Sequence, residues 1–297
     1  MNTLRTSATA MALRREGEAL AAALPPLLVA AEQLAASVQM GGHGRRRAGT
    51  GDEFWQFRPA LAGDAARMVD WRRSGRSDAQ YVREREWQAA QSVHIWVDSA
   101  AAMQFSAAPS RPDKGARARL LALALAVLML RAGERVGLLA PQLAPRPGKA
   151  QLLQLAGLLA APGAAEDYGA PQPAGIAAHA RALFISDFLG DIGAIGAALA
   201  LAADRGVTGV LLQVLDPAEE AFPYGGRVIF ESMGGSLRHE TRDAGDLQRR
   251  YRARLHERRA QLADLARLAG WQFGTHNTGT PAAGGLLWLY AAMERLR

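Results

Sequence analysis

The sequence predicts an α/β protein, a mostly parallel β-sheet with helices on both faces. Two observations predict it. From Ser92 onward, short segments rich in β-branched and aromatic residues alternate with helical segments, the order that builds a covered parallel sheet. Three of the predicted strands end in an aspartate, Asp98, Asp187 and Asp216, and in open α/β sheets ligands bind at the carboxyl ends of the strands.

Each element follows from local pattern. Residues 4–40 predict helix in two pieces, split at Pro25-Pro26 and ended by Gly41 and Gly42. GGHGRRRAGTG predicts a flexible basic loop. It lacks the glycine spacing of a phosphate cradle, and no strand precedes it. Residues 52–87 mix aromatic rings and charges with neither a helical nor a strand period. SVHIWVD alternates and predicts a strand ending at Asp98. Residues 113–132 predict an apolar helix, RVGLLAP a short strand and Lys149 to Ala160 a helix, followed by a Pro/Gly/Ala loop to about residue 178. RALFISD is a strand, 190–203 a helix and GVTGVLLQVLD a strand. Residues 227–240 predict a hairpin turned by Gly234-Gly235. Residues 244–269 predict a long helix with Leu247, Tyr251, Leu255, Leu262 and Leu265 near one face and Gly270 as its cap. WQFGTHN is a last strand, and 281–295 a last helix.

Composition narrows the function classes. The 297 residues are 49% hydrophobic and 21% charged, which is ordinary for a globular protein and argues against global disorder. The absence of cysteine excludes disulfides and thiolate metal sites. The formal charge is +7, and nearly all the positive charge is arginine; Lys114 and Lys149 are the only lysines. These arginines interleave with acids, so a solvated mixed surface is expected and no nucleic-acid partner. The N-terminus shows no signal-peptide pattern, and the longest apolar run, Leu120 to Leu130, falls short of the roughly 20 residues of a membrane span. A soluble, cytoplasmic chain is expected, with peripheral association of the N-terminal helices with a membrane left open.

One stretch is more specific. GDEFWQFRPALAGDAARMVDWRRSGRS, then YVREREWQ, then VHIWVDSAAAM, resembles the bacterial domain of unknown function family 58. Glu53, Phe54, Arg58, Gly63, Asp64, Arg67, Asp70, Trp71, Arg76, Val82, Arg83 and Glu84 match that family's pattern position by position. LFISDFLGD, VLDPAEEAFPYGG and YRARLHERRAQLADLARLAGWQF fit its later segments. The resemblance implies a von Willebrand factor A-like, Rossmann-like three-layer αβα sandwich. The expected organisation is an N-terminal helical region, 1–40, a signature segment packed on the main domain, 41–90, and the von Willebrand A-like domain, 91–297. The resemblance also implies a partner, an AAA+ ATPase of the MoxR type, with the chain as adaptor or chaperone-like factor and no family-wide catalytic activity.

Arg58, Asp64, Arg67, Asp70 and Arg76 are candidates for a cross-linked ion network with Phe54, Phe57 and Trp71 as its apolar floor, since arginine pairs carboxylates bidentately and stacks on rings. Such a network either clamps the fold or docks a partner. Arg45, Arg46 and Arg47, in the glycine-flanked loop, are docking candidates.

The resemblance implies one further site. Many von Willebrand A domains hold a divalent ion through D-x-S-x-S after the first strand, a threonine and a further aspartate. Here the first motif reads Asp98-Ser99-Ala100-Ala101-Ala102, residues 161–178 contain no threonine, and Asp187 fits the third loop. Asp98 and Asp187 form at most a degenerate metal site. No cofactor is expected; Mg²⁺, which tolerates water in vacant positions, is the one ion the pair would suit. Arginines of the 67–76 segment are candidates to neutralise the two carboxylates. The six histidines show no ligand spacing, and neither HExxH nor GxSxG occurs, so no enzyme is expected. The leading expectation is a non-enzymatic protein-interaction module. The alternatives are a metal-dependent ligand-binding domain and a basic nucleic-acid-binding protein.

Overall fold

The computed structural model describes residues 26–38, 48–60, 69–75, 80–86, 90–161, 166–235, 238–241 and 244–296. Among these, the residues before 40 and after 90 form one compact unit and those between form a second.

The larger unit is built on a six-stranded sheet. Its strands are β3 (Ser92–Val97), β4 (Arg135–Leu138), β5 (Leu143–Arg146), β6 (Arg181–Ser186), β7 (Thr208–Leu215) and β10 (Gln272–Asn277), in the spatial order β10-β7-β6-β3-β4-β5. Every pairing is parallel except β4 with β5. The order reverses between β3 and β6, so this is a Rossmann-like sheet with its switch point between the strands that end at Asp98 and Asp187.

Helices cover both faces. On one lie α3 (Lys114–Arg131), α4 (Lys149–Leu159) and α8 (Ala282–Arg295), and α1 (Pro26–Ser37) packs against all three. This explains why Leu121 through Met129 are buried without a break: α3 is enclosed by the sheet and three helices, and a helix buried all round shows no polar face. On the other face, α5 (Ile192–Ala203) and α7 (Ala244–Leu268) meet. The core there joins Trp96, Phe184, Leu199, Leu211, Leu262 and Trp271. The rings of Phe184 and Trp271 are 4.8 Å apart, and the Trp271 indole donates to the Val207 carbonyl at 3.0 Å. Such aromatic pairs add to burial, and the indole N–H is satisfied.

The helices and parallel strands expected from Ser92 onward are present, as is the second N-terminal helix, while the first N-terminal piece lies outside the described residues; two short elements join them. β5 is an antiparallel edge strand, and α6 (Pro217–Ala221) is a single turn after β7. The hairpin β8 (Val228–Glu231) and β9 (Arg238–Thr241) also forms.

The second unit corrects one expectation. The stretch from residue 52, expected to lack a regular period, begins within a strand, because β1 (Ala48–Pro59) pairs antiparallel with β2 (Tyr81–Glu86). Residues 48–51, expected as the end of the basic loop, belong to the strand, and residues 41–47 lie outside the described residues. The register shifts between Gly49 and Phe54 and again between Phe54 and Gln56. Bulges of this kind break the two-residue alternation, which is why no strand period is visible in the sequence.

Candidate functional site

The chemistry gathers at the carboxyl ends of β3, β6 and β7. Asp98, Asp187 and Asp216 follow these strands directly, and all three are buried, 3%, 1% and 0% exposed. Buried carboxylates need partners, and each finds a different set.

Asp98 closes the turn after β3. Its Oδ1 accepts the Ala100 N–H at 2.9 Å and its Oδ2 accepts the Ser186 hydroxyl at 2.6 Å. That hydroxyl in turn accepts the Phe188 N–H at 3.0 Å. The backbone of Gly169 also bonds Asp98, and a Cβ on Gly169 would lie 2.4 Å from Oδ1, so glycine is what permits this approach. Burial raises the Asp98 pKa above the ordinary carboxylate value; the hydrogen bonds from Ser186 and Ala100 oppose the rise, and the Asp187 charge adds to it.

Asp187 holds the site's cation. Lys114 Nζ lies 2.8 Å from Asp187 Oδ2 and 2.6 Å from Glu219 Oε1, and its side chain is 1% exposed. Lys114 is the first residue of α3, just inside the cap made by Asp113, whose side chain accepts the Ala116 N–H. Its ammonium also sits 5.8 Å from the Phe105 ring centroid. Burial alone would lower the lysine pKa; Asp187 and Glu219 outweigh it and hold the pKa above the ordinary value. Glu219 is raised, because burial costs it more than its share of one lysine returns.

Glu219 is brought there by α6. Asp216 caps this turn by accepting the Ala218 N–H at 2.8 Å, and Glu219 Oε2 accepts the Asp216 N–H at 2.8 Å. This reciprocal capping box leaves Oε1 for Lys114.

The arrangement does not suit a divalent ion. The first motif offers alanines where hydroxyl ligands would stand, and Asp187 is engaged by an ammonium. No group of three or more His, Cys, Asp or Glu among the described residues is arranged to hold a metal. Among the described residues, the cation beside Asp187 is Lys114.

Arg117, one helical turn along α3, makes a second anchor. Its guanidinium donates to the carbonyls of Thr280 and Thr278 at 2.6 and 3.0 Å, and NH1 lies 2.8 Å from His276 Nε2. A guanidinium only donates, so His276 Nε2 is the acceptor and the ring is neutral. Burial, then the Arg117 charge, lowers its pKa to about 4.

Above Lys114 lies a cavity of about 190 Å³. Phe105, Tyr168, Phe222, Tyr224, Phe230 and Tyr251 line it, together with Asp167, Asp187, Glu219 and Glu231. Phe222 anchors the aromatic wall, with the rings of Tyr251, Tyr224 and Phe230 at 5.0, 5.2 and 5.4 Å. The hairpin forms the rim, tied down where Asp167 accepts the Ser232 hydroxyl at 3.0 Å and the Gly234 N–H. Phe188 and Phe222, at the turns after Asp187 and α6, have left-handed φ values of 51° and 47°. Non-glycine residues held there store strain, which collects at functional sites.

The signature residues fall elsewhere. Asp70 caps the short helix α2 (Trp71–Ser74) by accepting the Arg73 N–H at 3.0 Å, and its own N–H donates to the Tyr81 carbonyl at 2.8 Å. The Ser74 hydroxyl donates to the Asp70 carbonyl and accepts the Tyr81 N–H, both at 2.9 Å. These bonds fasten α2 to β2 within the second unit. Trp71 is not an apolar floor, since its side chain is 61% exposed. Arg58 lies in β1 opposite Val82. Arg45, Arg46, Arg47, Asp64, Arg67 and Arg76 lie outside the described residues.

Comparison with known proteins adds a family. The model described as Protein of unknown function DUF58 matches residues 56–261. Among solved structures, the conserved hypothetical protein BatB from Bacteroides thetaiotaomicron is 14% identical, with a TM-score of 0.36, over 69% of this chain and 100% of its own. An aerotolerance-related membrane protein from Bacteroides fragilis is 13% identical, with a TM-score of 0.40 and the same two coverages. No curated protein matches the chain. Among the described residues, no helix is long and apolar enough to cross a membrane.

Proposed function

This chain belongs to the family described as Protein of unknown function DUF58, and we propose that it is a non-enzymatic protein-interaction module of the von Willebrand A type that works without a metal ion. The observation that carries this reading is Lys114. At the switch point, where such a module would use a divalent ion, a buried ammonium bridges Asp187 and Glu219. Lysine is a compact point charge, and here it supplies a fixed cation from the chain itself. The aromatic cavity above it is a recessed surface suited to contact with a partner.

The partner in this reading is a MoxR-type AAA+ ATPase, with the chain as its adaptor. The resemblance of the signature segment supports that choice. The test is co-elution of the purified chain with a purified MoxR-type ATPase, without nucleotide, in buffer with and without excess EDTA. The expected result is the same complex in both. No complex in either buffer contradicts the partner, and a complex lost only in EDTA contradicts metal-free binding.

A further inference from the structure

We propose that the cavity over Lys114 receives a basic side chain, that of an arginine or lysine on a partner polypeptide. The inference rests on the reading of the chain as an interaction module and names the chemistry it selects. It also reverses the expectation for a metal-bearing site of this fold, which would grip a partner's carboxylate.

The lining decides the charge. Four acidic residues, Asp167, Asp187, Glu219 and Glu231, line the cavity, and among the described residues that line it Lys114 is the one basic residue. The Lys114 ammonium is already divided between Asp187 and Glu219, so it cannot neutralise both. On the hairpin, Glu231 meets Arg238 at 3.3 Å, but that pair is 61% and 67% exposed and solvent screens it. With two carboxylates to one ammonium at the Lys114 bridge, an incoming carboxylate or phosphate would meet net negative charge, and an ammonium or guanidinium would be attracted.

The walls fit the same ligand. Aromatic faces attract cations through the ring quadrupole, and a guanidinium also stacks on them. Tyr168, Tyr224 and Tyr251 all have raised phenol pKa values, from burial first and then from nearby carboxylates, so all three rings stay neutral and keep their phenol protons. The volume is below the roughly 300–1,000 Å³ of drug-sized ligand sites, on the scale of one long side chain. Two of the lining residues, Tyr168 and Met233, are 40% and 49% exposed and offer apolar surface. A cationic tip drawn inside, with its aliphatic stem against these two side chains, matches how long basic side chains bury.

The experiment titrates the full chain with N-acetyl-arginine amide, its neutral isostere N-acetyl-citrulline amide, and N-acetyl-glutamate amide, following aromatic NMR resonances. The arginine probe is expected to shift tyrosine and phenylalanine signals of the cavity saturably, with citrulline at least tenfold weaker and glutamate inert. Tyr168→Ser combined with Glu231→Gln, both at the accessible rim, is expected to weaken the arginine probe about tenfold while leaving the melting temperature unchanged. Equal binding of citrulline, preferential binding of glutamate, shifts that map away from the cavity, or no saturable shift each overturn the proposal. Binding that emerges only after Arg45, Arg46 and Arg47 are changed to serine assigns the cavity to the chain's own arginines and overturns a partner as occupant. These probes need no ATPase, so a failed co-elution with intact probe binding removes the partner's identity alone, and the converse removes this inference alone.

Discussion

Lys114→Met lowers the stability of the sheet unit by about 3–5 kcal/mol, the usual consequence of removing one member of a buried ion pair, out of a total on the order of 5–15 kcal/mol. Methionine keeps the length and bulk of the lysine stem, so the loss is of charge. Asp187, 1% exposed, then loses its counter-ion, and among the described residues its remaining side-chain hydrogen bond is the 3.0 Å bond from the Leu189 N–H. Glu219, 14% exposed in its side chain, has more access to water and suffers less. Asp187→Asn in the same chain removes the stranded charge and recovers part of the loss. Lys114→Arg does not substitute, because a planar guanidinium is too wide for a gap with carboxylate oxygens at 2.8 and 2.6 Å from one nitrogen. Urea melts of the three variants check this. A Lys114→Met midpoint equal to the parent's would mean that the bridge contributes nothing to the fold.

Acidification from pH 6.5 to 4 removes up to about 3 kcal/mol through His276 alone, at about 1.4 kcal/mol for each pH unit. The direction follows from the native hydrogen bond. Burial and then Arg117 depress the folded pKa from 6.5 to about 4. Above pH 6.5 the ring is neutral in both states and contributes no slope. Between 6.5 and about 4 the unfolded chain binds a proton that the native ring refuses, so stability falls as the pH falls. Asp98 and Glu219 act with the opposite sign: their folded pKa values are raised, so the native state gains protons first and stability rises as the pH drops through those values. The net profile mixes these contributions, and His276→Gln separates them. The glutamine carbonyl still accepts from Arg117 but does not titrate in this range. Melts at pH 7 and 4.5 are expected to show the variant losing less stability than the parent on acidification. Equal losses would mean that the histidine is protonated, or solvated, in the native state.

The parts of the site legible in the sequence are those that terminate regular elements. SVHIWVD, RALFISD and GVLLQVLD declare three strands and the aspartates at their ends, because the alternation of elements is carried by local composition. Lys114 was harder to see. Its signal was being one of two lysines in an arginine-rich chain, placed after the helix-capping Asp113, but nothing local says that this ammonium reaches Asp187, 73 residues away. Glu219 had a local signal. Asp216-Pro217-Ala218-Glu219 is a capping-box pattern, although the five-residue helix it opens is too short to show periodicity. The aromatic cavity had none, since its rings come from residues 105 to 251 and only the sheet topology brings them together. In the second unit, the bulges of β1 concealed a strand, and Trp71 is exposed although its neighbours suggested a packed cluster.

The most direct test of a switch point held by Lys114 is calorimetric titration of the chain with Mg²⁺ and with Mn²⁺, paired with thermal melts in Mg²⁺ and in EDTA. A site with a dissociation constant of about 0.1 mM would add about 2.7 kcal/mol of stability at about 10 mM free ion, a hundred times that constant, which a melt resolves easily. With the ammonium engaged by Asp187 and Glu219, the expected result is no saturable heat and identical melting in the two buffers. Saturable micromolar binding that raises the melting temperature and disappears in Asp187→Asn would contradict it.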